Sequence, residues 1–272
     1  MAKIMEILQR EMEIPKPFSL FYFLFLFLTI GMTLYLCLRF KKAEVKTFKK
    51  LMLIAWIIIV ILEVYKELIY SYYAYDEIKW RYNVELLPFQ LCSMPFYFLP
   101  ALILTNPDKH PKLFESFLSF ISFPLLVAGI VVYLDPSSVF VSYVGINIQT
   151  MVHHGMQIIT GIYALVWYKD KINFKYFIKS MPCFLATVSI ALLLDVIVPN
   201  YYQGYFNMFF ISPKMDFPVA ILNIHSSDLF YPLYLTGYLA SIFILSFLLF
   251  LFVKFLNRLN VKIRSHHEIK NN

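Results

Sequence analysis

Glycine is scarce in this chain of 272 residues, with seven in all, and none is arranged as a phosphate cradle. There is no P-loop, no dinucleotide fingerprint and no Gly-x-Ser-x-Gly elbow. The common nucleotide-dependent and serine-hydrolase sites are therefore excluded, and no cofactor is expected. Charge is thin as well, with 15% of residues Asp, Glu, Lys or Arg, too few to solvate a soluble surface of this size. The three cysteines make no even framework, so no structural disulfide set is expected. A cleavable signal peptide is also not expected: Met1 to Lys16 mixes Glu6, Glu11 and Glu13 with three basic residues, and the apolar run that follows is long enough to span.

What is abundant is apolar. Hydrophobic residues make up 60% of the chain, and the mean hydropathy is +0.67. These values predict a multi-pass protein of the cell membrane, with residues 1–272 forming a single integral membrane domain. In lipid each backbone donor and acceptor must be satisfied within its own segment or a closed barrel. The apolar runs are continuous rather than alternating over about 10 residues, which points away from a barrel and toward an all-α helix bundle.

Hydropathy places seven spans at about 18–38, 51–73, 86–105, 114–134, 143–167, 177–198 and 230–253. Pro124 is expected to kink the fourth. The net charge of +7 does not indicate nucleic acid, because Lys and Arg fall in short clusters beside the apolar runs. Alternate connections carry six, two, four and five basic residues on one side, and three, two, none and one on the other. The positive-inside rule then puts the amino terminus outside and the carboxyl terminus in the cytoplasm. The connection from Pro199 to Asp228 holds runs too short to span and too apolar for a solvated loop, and is expected to be a re-entrant or interfacial cap on the outer face.

Polar residues gather in the outer half of this arrangement. Glu63, Lys66 and Glu67 share a face of span two at i, i+3 and i+4. Cys92, in Leu86 to Pro95, falls roughly 9 Å below the outer end of span three at a rise of about 1.5 Å per residue. Span five carries Asn147, Thr150 and His154 on one stripe and Gln149, His153 and Gln157 on the next. Asp195, Asn207, His225 and Asp228 follow at the outer ends. Cys37 and Cys183 lie near the cytoplasmic ends instead. Ionisable residues in a membrane usually face a bundle interior or wet cavity, so one outward-opening polar chamber is expected.

Several chemistries fit such a chamber. A membrane cysteine can be small apolar filler, the Glu63–Lys66–Glu67 group can simply neutralise itself, and the histidines and glutamines can be interhelical hydrogen-bond donors. A thiol beside a histidine, however, can relay an acyl group through a thioester. No metal site is expected, since His153 and His154 are adjacent and so about 100° apart on a helix, unlike an i, i+4 pair of ligands. A transporter or receptor-like binding protein, holding an ion or polar solute on Glu63, Lys66, Glu67 and Asp195, fits the same charges.

One resemblance bears on this choice. Leu87-Pro-Phe-Gln-Leu-Cys92, Val152-His-His-Gly155, Tyr205-Phe-Asn-Met-Phe-Phe210, Ser212-Pro-Lys214 and Asp228-Leu-Phe-Tyr-Pro232 together resemble the YwaF family of bacterial integral membrane proteins, itself similar to the transmembrane protein 164 acyltransferases of animals. The resemblance implies an acyltransferase that moves a fatty acyl group between membrane phospholipids through a cysteine thioester. It places the family's cysteine on Cys92 and its histidine on His154, which would take the thiol proton and later activate the incoming alcohol. Gln90 stands where members often carry histidine, and His153 replaces a small residue. Gln90, His153, Asn207, Glu63, Glu67 and Asp228 are expected to contact substrate. With water as acceptor the same site would be a lipid ester hydrolase. The sequence leaves the lipid species and the oligomeric state open.

Overall fold

The computed structural model describes the backbone of residues 2–73, 79–216, 218–219 and 224–271, and their side chains apart from those of 2, 218–219, 224–225, 228 and 260–271. Asp76 and much of the Phe217 to Ile224 run lie outside the described residues. The chain is helical: α1 Ala2–Leu8, α2 Leu20–Phe40, α3 Val45–Ser71, α4 Pro95–Leu104, α5 Pro111–Phe120, α6 Leu126–Leu134, α7 Val144–Trp167, α8 Phe174–Ile178, α9 Met181–Ile197 and α10 Tyr231–Asn271. Extended structure among the described residues is confined to a ribbon pairing Pro218–Val219 with Ile224–His225 and to isolated bridges.

Among the described residues, four helical stretches are long and apolar enough to cross a membrane: Leu20–Phe40, Pro111–Leu134, Phe174–Asn200 and Tyr231–Leu259. α3 and α7, of 27 and 24 residues, have spanning length too, and they are the helices that carry the polar residues of the chamber. α2 shows the inversion that lipid imposes. It turns Leu20, Phe27, Leu28 and Leu38 outward and buries Tyr22, Thr29 and Thr33, because between helices in lipid a hydroxyl needs a partner whereas an exposed leucine costs nothing.

Two expected elements differ. The kink at Pro124 is a π-turn, Ile121–Leu125, joining α5 to α6 without a break; proline removes one rung of the ladder and the turn widens. The helix expected over 86–105 begins only at Pro95, and before it the chain makes two 3-10 turns, Val84–Leu86 and Leu91–Ser93. Pro88 and Pro95 are the cause, since neither has an N–H for an upstream carbonyl and Pro95 fits the first position of a new helix. Pro100 acts likewise inside α4. It cannot serve the Phe96 carbonyl four residues back, and the Trp56 indole of α3 donates there instead at 2.9 Å.

α7 is the hub, with buried residues around most of its circumference. Its amino-terminal end meets the amino-terminal segment: Val144 N donates to the Arg10 carbonyl and Met12 N to that of Ser142. Gln9 Nε2 bonds the Ile69 and Tyr72 carbonyls at the end of α3. At the opposite end, Trp167 Nε1 reaches the Ala43 carbonyl at 2.8 Å, Lys49 Nζ the Thr105 carbonyl, and Lys179 pairs with Glu115.

Glycine is spent where α7 is tightest. A Cβ on Gly155 would stand 2.6 Å from Thr29 Oγ1 and 3.0 Å from Tyr133 Oη, and one on Gly129 of α6 would stand 3.0 Å from the His154 carbonyl oxygen. The Tyr133 phenol donates to the Met151 carbonyl at 2.9 Å, so its contact with Thr29 at 2.8 Å is donated by the threonine. This three-helix knot fixes the rotation of α7 beside His154. Gly155→Val should lower stability by about 1–3 kcal/mol through overpacking, whereas Gly31→Val, with nothing within 4 Å of the added Cβ, should stay within about 0.5 kcal/mol. Melting curves of the two purified variants in one detergent check the difference.

Candidate functional site

Cys92 lies in the 3-10 turn Leu91–Ser93. In such a turn its carbonyl would accept from the N–H three residues on, but that residue is Pro95, which has none. α7 supplies the missing donors. Gln157 Nε2 donates to the Cys92 carbonyl at 2.8 Å, and His153 Nε2 contacts the same oxygen at 2.8 Å. A carbonyl only accepts, so His153 must carry its proton on Nε2 and, in the neutral ring, present Nδ1 as a bare acceptor. That Nδ1 and Gln157 Oε1 are both buried and have no hydrogen-bond partner among the described residues. Gln157, left as interhelical glue by the sequence, thus belongs to the site; its place four residues after His153 on one face was the available signal.

His154 points elsewhere. Its Nδ1 donates to the Thr150 carbonyl at 2.7 Å, one turn back on α7, which leaves Nε2 as its acceptor. The two rings stand 5.4 Å apart, edge to face, and have opposite tautomers. No hydrogen bond joins the Cys92 sulfur to either ring among the described residues.

The charged group of α3 reaches the segment that precedes the Cys92 turn. Glu63 is buried, 4% exposed, and ion-pairs with Lys66, which also donates to the Leu86 carbonyl at 3.4 Å. The charges of both act on Cys92 and His153. Glu67, one turn on, has both carboxylate oxygens buried without a hydrogen-bond partner, and lies in electrostatic range of Tyr82 and Tyr97. α10 brings Tyr238 into range of the thiol.

The connection after α9 covers this turn. Phe206, Met208, Phe209 and Ile211 are buried in the main core. Gln90 Nε2 donates to the Asn207 carbonyl at 2.7 Å, Asn207 Oδ1 accepts from Ser212 N at 2.8 Å, and Asp195 Oδ1 accepts from Met208 N at 2.7 Å. Phe209 and Phe210 have φ of 56° and 58°, a left-handed conformation that costs energy in bulky residues. α10 holds them there, with Tyr234 Oη donating to the Phe210 carbonyl and Tyr231 Oη to that of Ile211.

The fold therefore gathers Glu63, Gln90, Cys92, His153 and Asn207, with Glu67 one turn away and His154 turned to Thr150. Asn147 is structural, its amide closing on the Val141 backbone in both directions. Asp228 ends the turn Ser226–Asp228 before α10; its side chain, like that of His225, lies outside the described residues. Cys37 is half-buried and Cys183 buried, both unpaired. No group of three metal-ligating side chains stands together among the described residues.

No curated protein and no solved structure matches the chain. The sequence model of the TMEM164 family matches residues 14–257, a range that takes in Cys92, both histidines and the connection over them. With nine-tenths of its length so matched, the chain belongs to the TMEM164 family.

Proposed function

We propose that this chain is a multi-pass acyltransferase of a bacterial cell membrane, of the YwaF kind, which moves a fatty acyl group between phospholipids through a thioester on Cys92. The observation that carries the reading is the setting of Cys92: a half-buried thiol on a proline-broken turn whose backbone carbonyl is held from α7 by His153 and Gln157. A cysteine that merely filled space would sit within a helix, as Cys37 and Cys183 do.

In the first half-reaction His154 Nε2 takes the thiol proton while sulfur attacks the ester carbonyl of the donor lipid. The carbon–oxygen bond to the glycerol then breaks, and the leaving oxygen takes the proton from the imidazolium. Thr150 holds Nδ1–H and so keeps Nε2 available. The thiol–imidazole contact closes when substrate binds, as catalytic hydrogen bonds often do. In the second half-reaction the hydroxyl of a lysophospholipid attacks the thioester, a carbon–oxygen bond forms, the carbon–sulfur bond breaks, and the hydroxyl proton passes by way of an imidazole to the departing thiolate. Glu63, Glu67, Gln90 and Asn207 line the path of the polar lipid parts. The pairing of Glu63 with Lys66 favours this reading over a solute transporter, because the two charges are already spent on each other.

In this reading all seven hydrophobic stretches cross the bilayer, with the amino terminus outside and the site in the outer half. α4 is short because its span is completed by the turn that carries Cys92.

Two measurements test these statements. Incubated with a phospholipid carrying a labelled acyl chain, the protein should form a hydroxylamine-labile adduct that disappears in Cys92→Ala and persists in Cys37→Ala and Cys183→Ala. His154→Gln should slow its formation by about 10²- to 10⁴-fold, the usual worth of a general base. Full lipid exchange by Cys92→Ala would end the proposal. For topology, a tag at the carboxyl terminus should be shielded from protease in intact cells and one at the amino terminus cleaved; both tags on one side would rule out seven spans.

A further inference from the structure

His153 and Gln157 each use one polar atom on the Cys92 carbonyl and leave the other, His153 Nδ1 and Gln157 Oε1, buried and without a partner among the described residues. Both residues are almost wholly buried, at 3% and 1% exposure. An acceptor kept from solvent is destabilising unless a donor meets it, and here two such acceptors are fixed one helical turn apart by the same carbonyl. Nearby donors are committed elsewhere: the Ser93 hydroxyl is engaged with the Cys92 thiol, Gln90 Nε2 serves the Asn207 carbonyl, and Lys66 serves Glu63 and the Leu86 carbonyl. The atoms are thus placed for a ligand that brings its own hydrogen to the Cys92 turn.

We propose that this pair is the subsite for the O–H of the acyl acceptor, and that His153, not His154, takes its proton. This rests on the thioester reading above and divides its two halves between the adjacent histidines. His154, held by Thr150 through Nδ1, serves acylation with Nε2; His153, held by Cys92 through Nε2, serves deacylation with Nδ1. As the acceptor oxygen bonds to the thioester carbon, its hydrogen passes to His153 Nδ1. The carbon–sulfur bond breaks, and the proton returns to the departing thiolate, so both histidines end neutral. An alcohol has one hydrogen, which goes to His153 Nδ1. Water has two, and keeps the second, which it donates in a hydrogen bond to Gln157 Oε1. The same pair therefore also governs how much acyl-enzyme leaks to water.

The experiment loads the full-length protein in nanodiscs with a labelled acyl chain and times its discharge with and without lysophosphatidylcholine. His153→Gln, which keeps an N–H for the Cys92 carbonyl but lacks a base, should slow discharge to the lysolipid at least tenfold more than it slows loading, and should flatten the pH dependence of discharge. Gln157→Met should slow discharge to water several-fold more than discharge to lysolipid. His153→Gln slowing loading and discharge equally would reduce His153 to a clamp, and unchanged discharge would overturn the proposal. A wild-type protein that never forms the adduct would overturn the thioester reading instead, and the subsite would then be judged by binding. The Cys92→Ala protein, which retains the backbone carbonyl, should bind lysophosphatidylcholine about tenfold more tightly than its analogue lacking the free hydroxyl. Adding His153→Leu should erase that preference; its absence in the Cys92→Ala protein, or its survival in the double variant, would refute the subsite.

Discussion

The arrangement of the site depends on one carbonyl oxygen. Pro95 deprives the Cys92 carbonyl of the backbone donor that its turn would provide, and within a hydrophobic bundle an unmet carbonyl is expensive. His153 and Gln157 meet it together. That double donation fixes which face of α7 turns toward the Cys92 turn, which nitrogen of His153 carries hydrogen, and how far the turn can move. α3 is tied in by the same logic. The carbonyl left open by Pro100 is met by Trp56, and that of Leu86 by Lys66. Open carbonyls at Leu86 and Cys92 are thus met from α3 and α7, on either side, which docks the stretch 84–94 although it holds only two short 3-10 turns.

The connection over the site follows a related rule. An irregular backbone at this depth is tolerated only where its groups are satisfied by protein, and the segment 205–212 is satisfied side chain by side chain, by Gln90, Asn207, Asp195, Tyr231 and Tyr234. The left-handed Phe209 and Phe210 pay back their strain by burying aromatic surface: Phe209 is fully buried and its ring lies 6.2 Å from that of Phe89. The apolar residues that made this stretch look wrong for a solvated loop are what seat it in the core.

Much of this could be read in the residues beforehand. Continuous apolar runs pointed to an all-helical membrane protein, and counting polar residues along the spans singled out Glu63, Cys92, His153 and Asn207 as candidates, of which His153 meets the Cys92 turn and Asn207 meets Gln90. The break at Pro95 was less legible, because hydropathy is blind to the N–H that proline lacks, although Pro88 and Pro95 stood in plain view. The role of Gln157 was hidden for the same reason: its partner is a backbone atom, and no side-chain motif announces an orphaned carbonyl. Which of two adjacent histidines faces the cysteine turn was beyond reach altogether. They differ by about 100°, a rotation set here by the packing of Gly155 against Tyr133 and against Thr29, the latter more than a hundred residues away in sequence.

Adjacent histidines on one helix are often read as redundant, one standing in for the other. Here the backbone makes them different reagents. A carbonyl of the helix itself holds His154 by Nδ1, and a carbonyl of another segment holds His153 by Nε2; since carbonyls only accept, each contact assigns a hydrogen and frees the opposite nitrogen. Interconverting the two roles would require breaking a hydrogen bond and turning a buried ring in a close-packed interior. The difference between the residues is therefore fixed by the fold, and it follows from the same absent N–H of Pro95 that left the Cys92 carbonyl seeking donors.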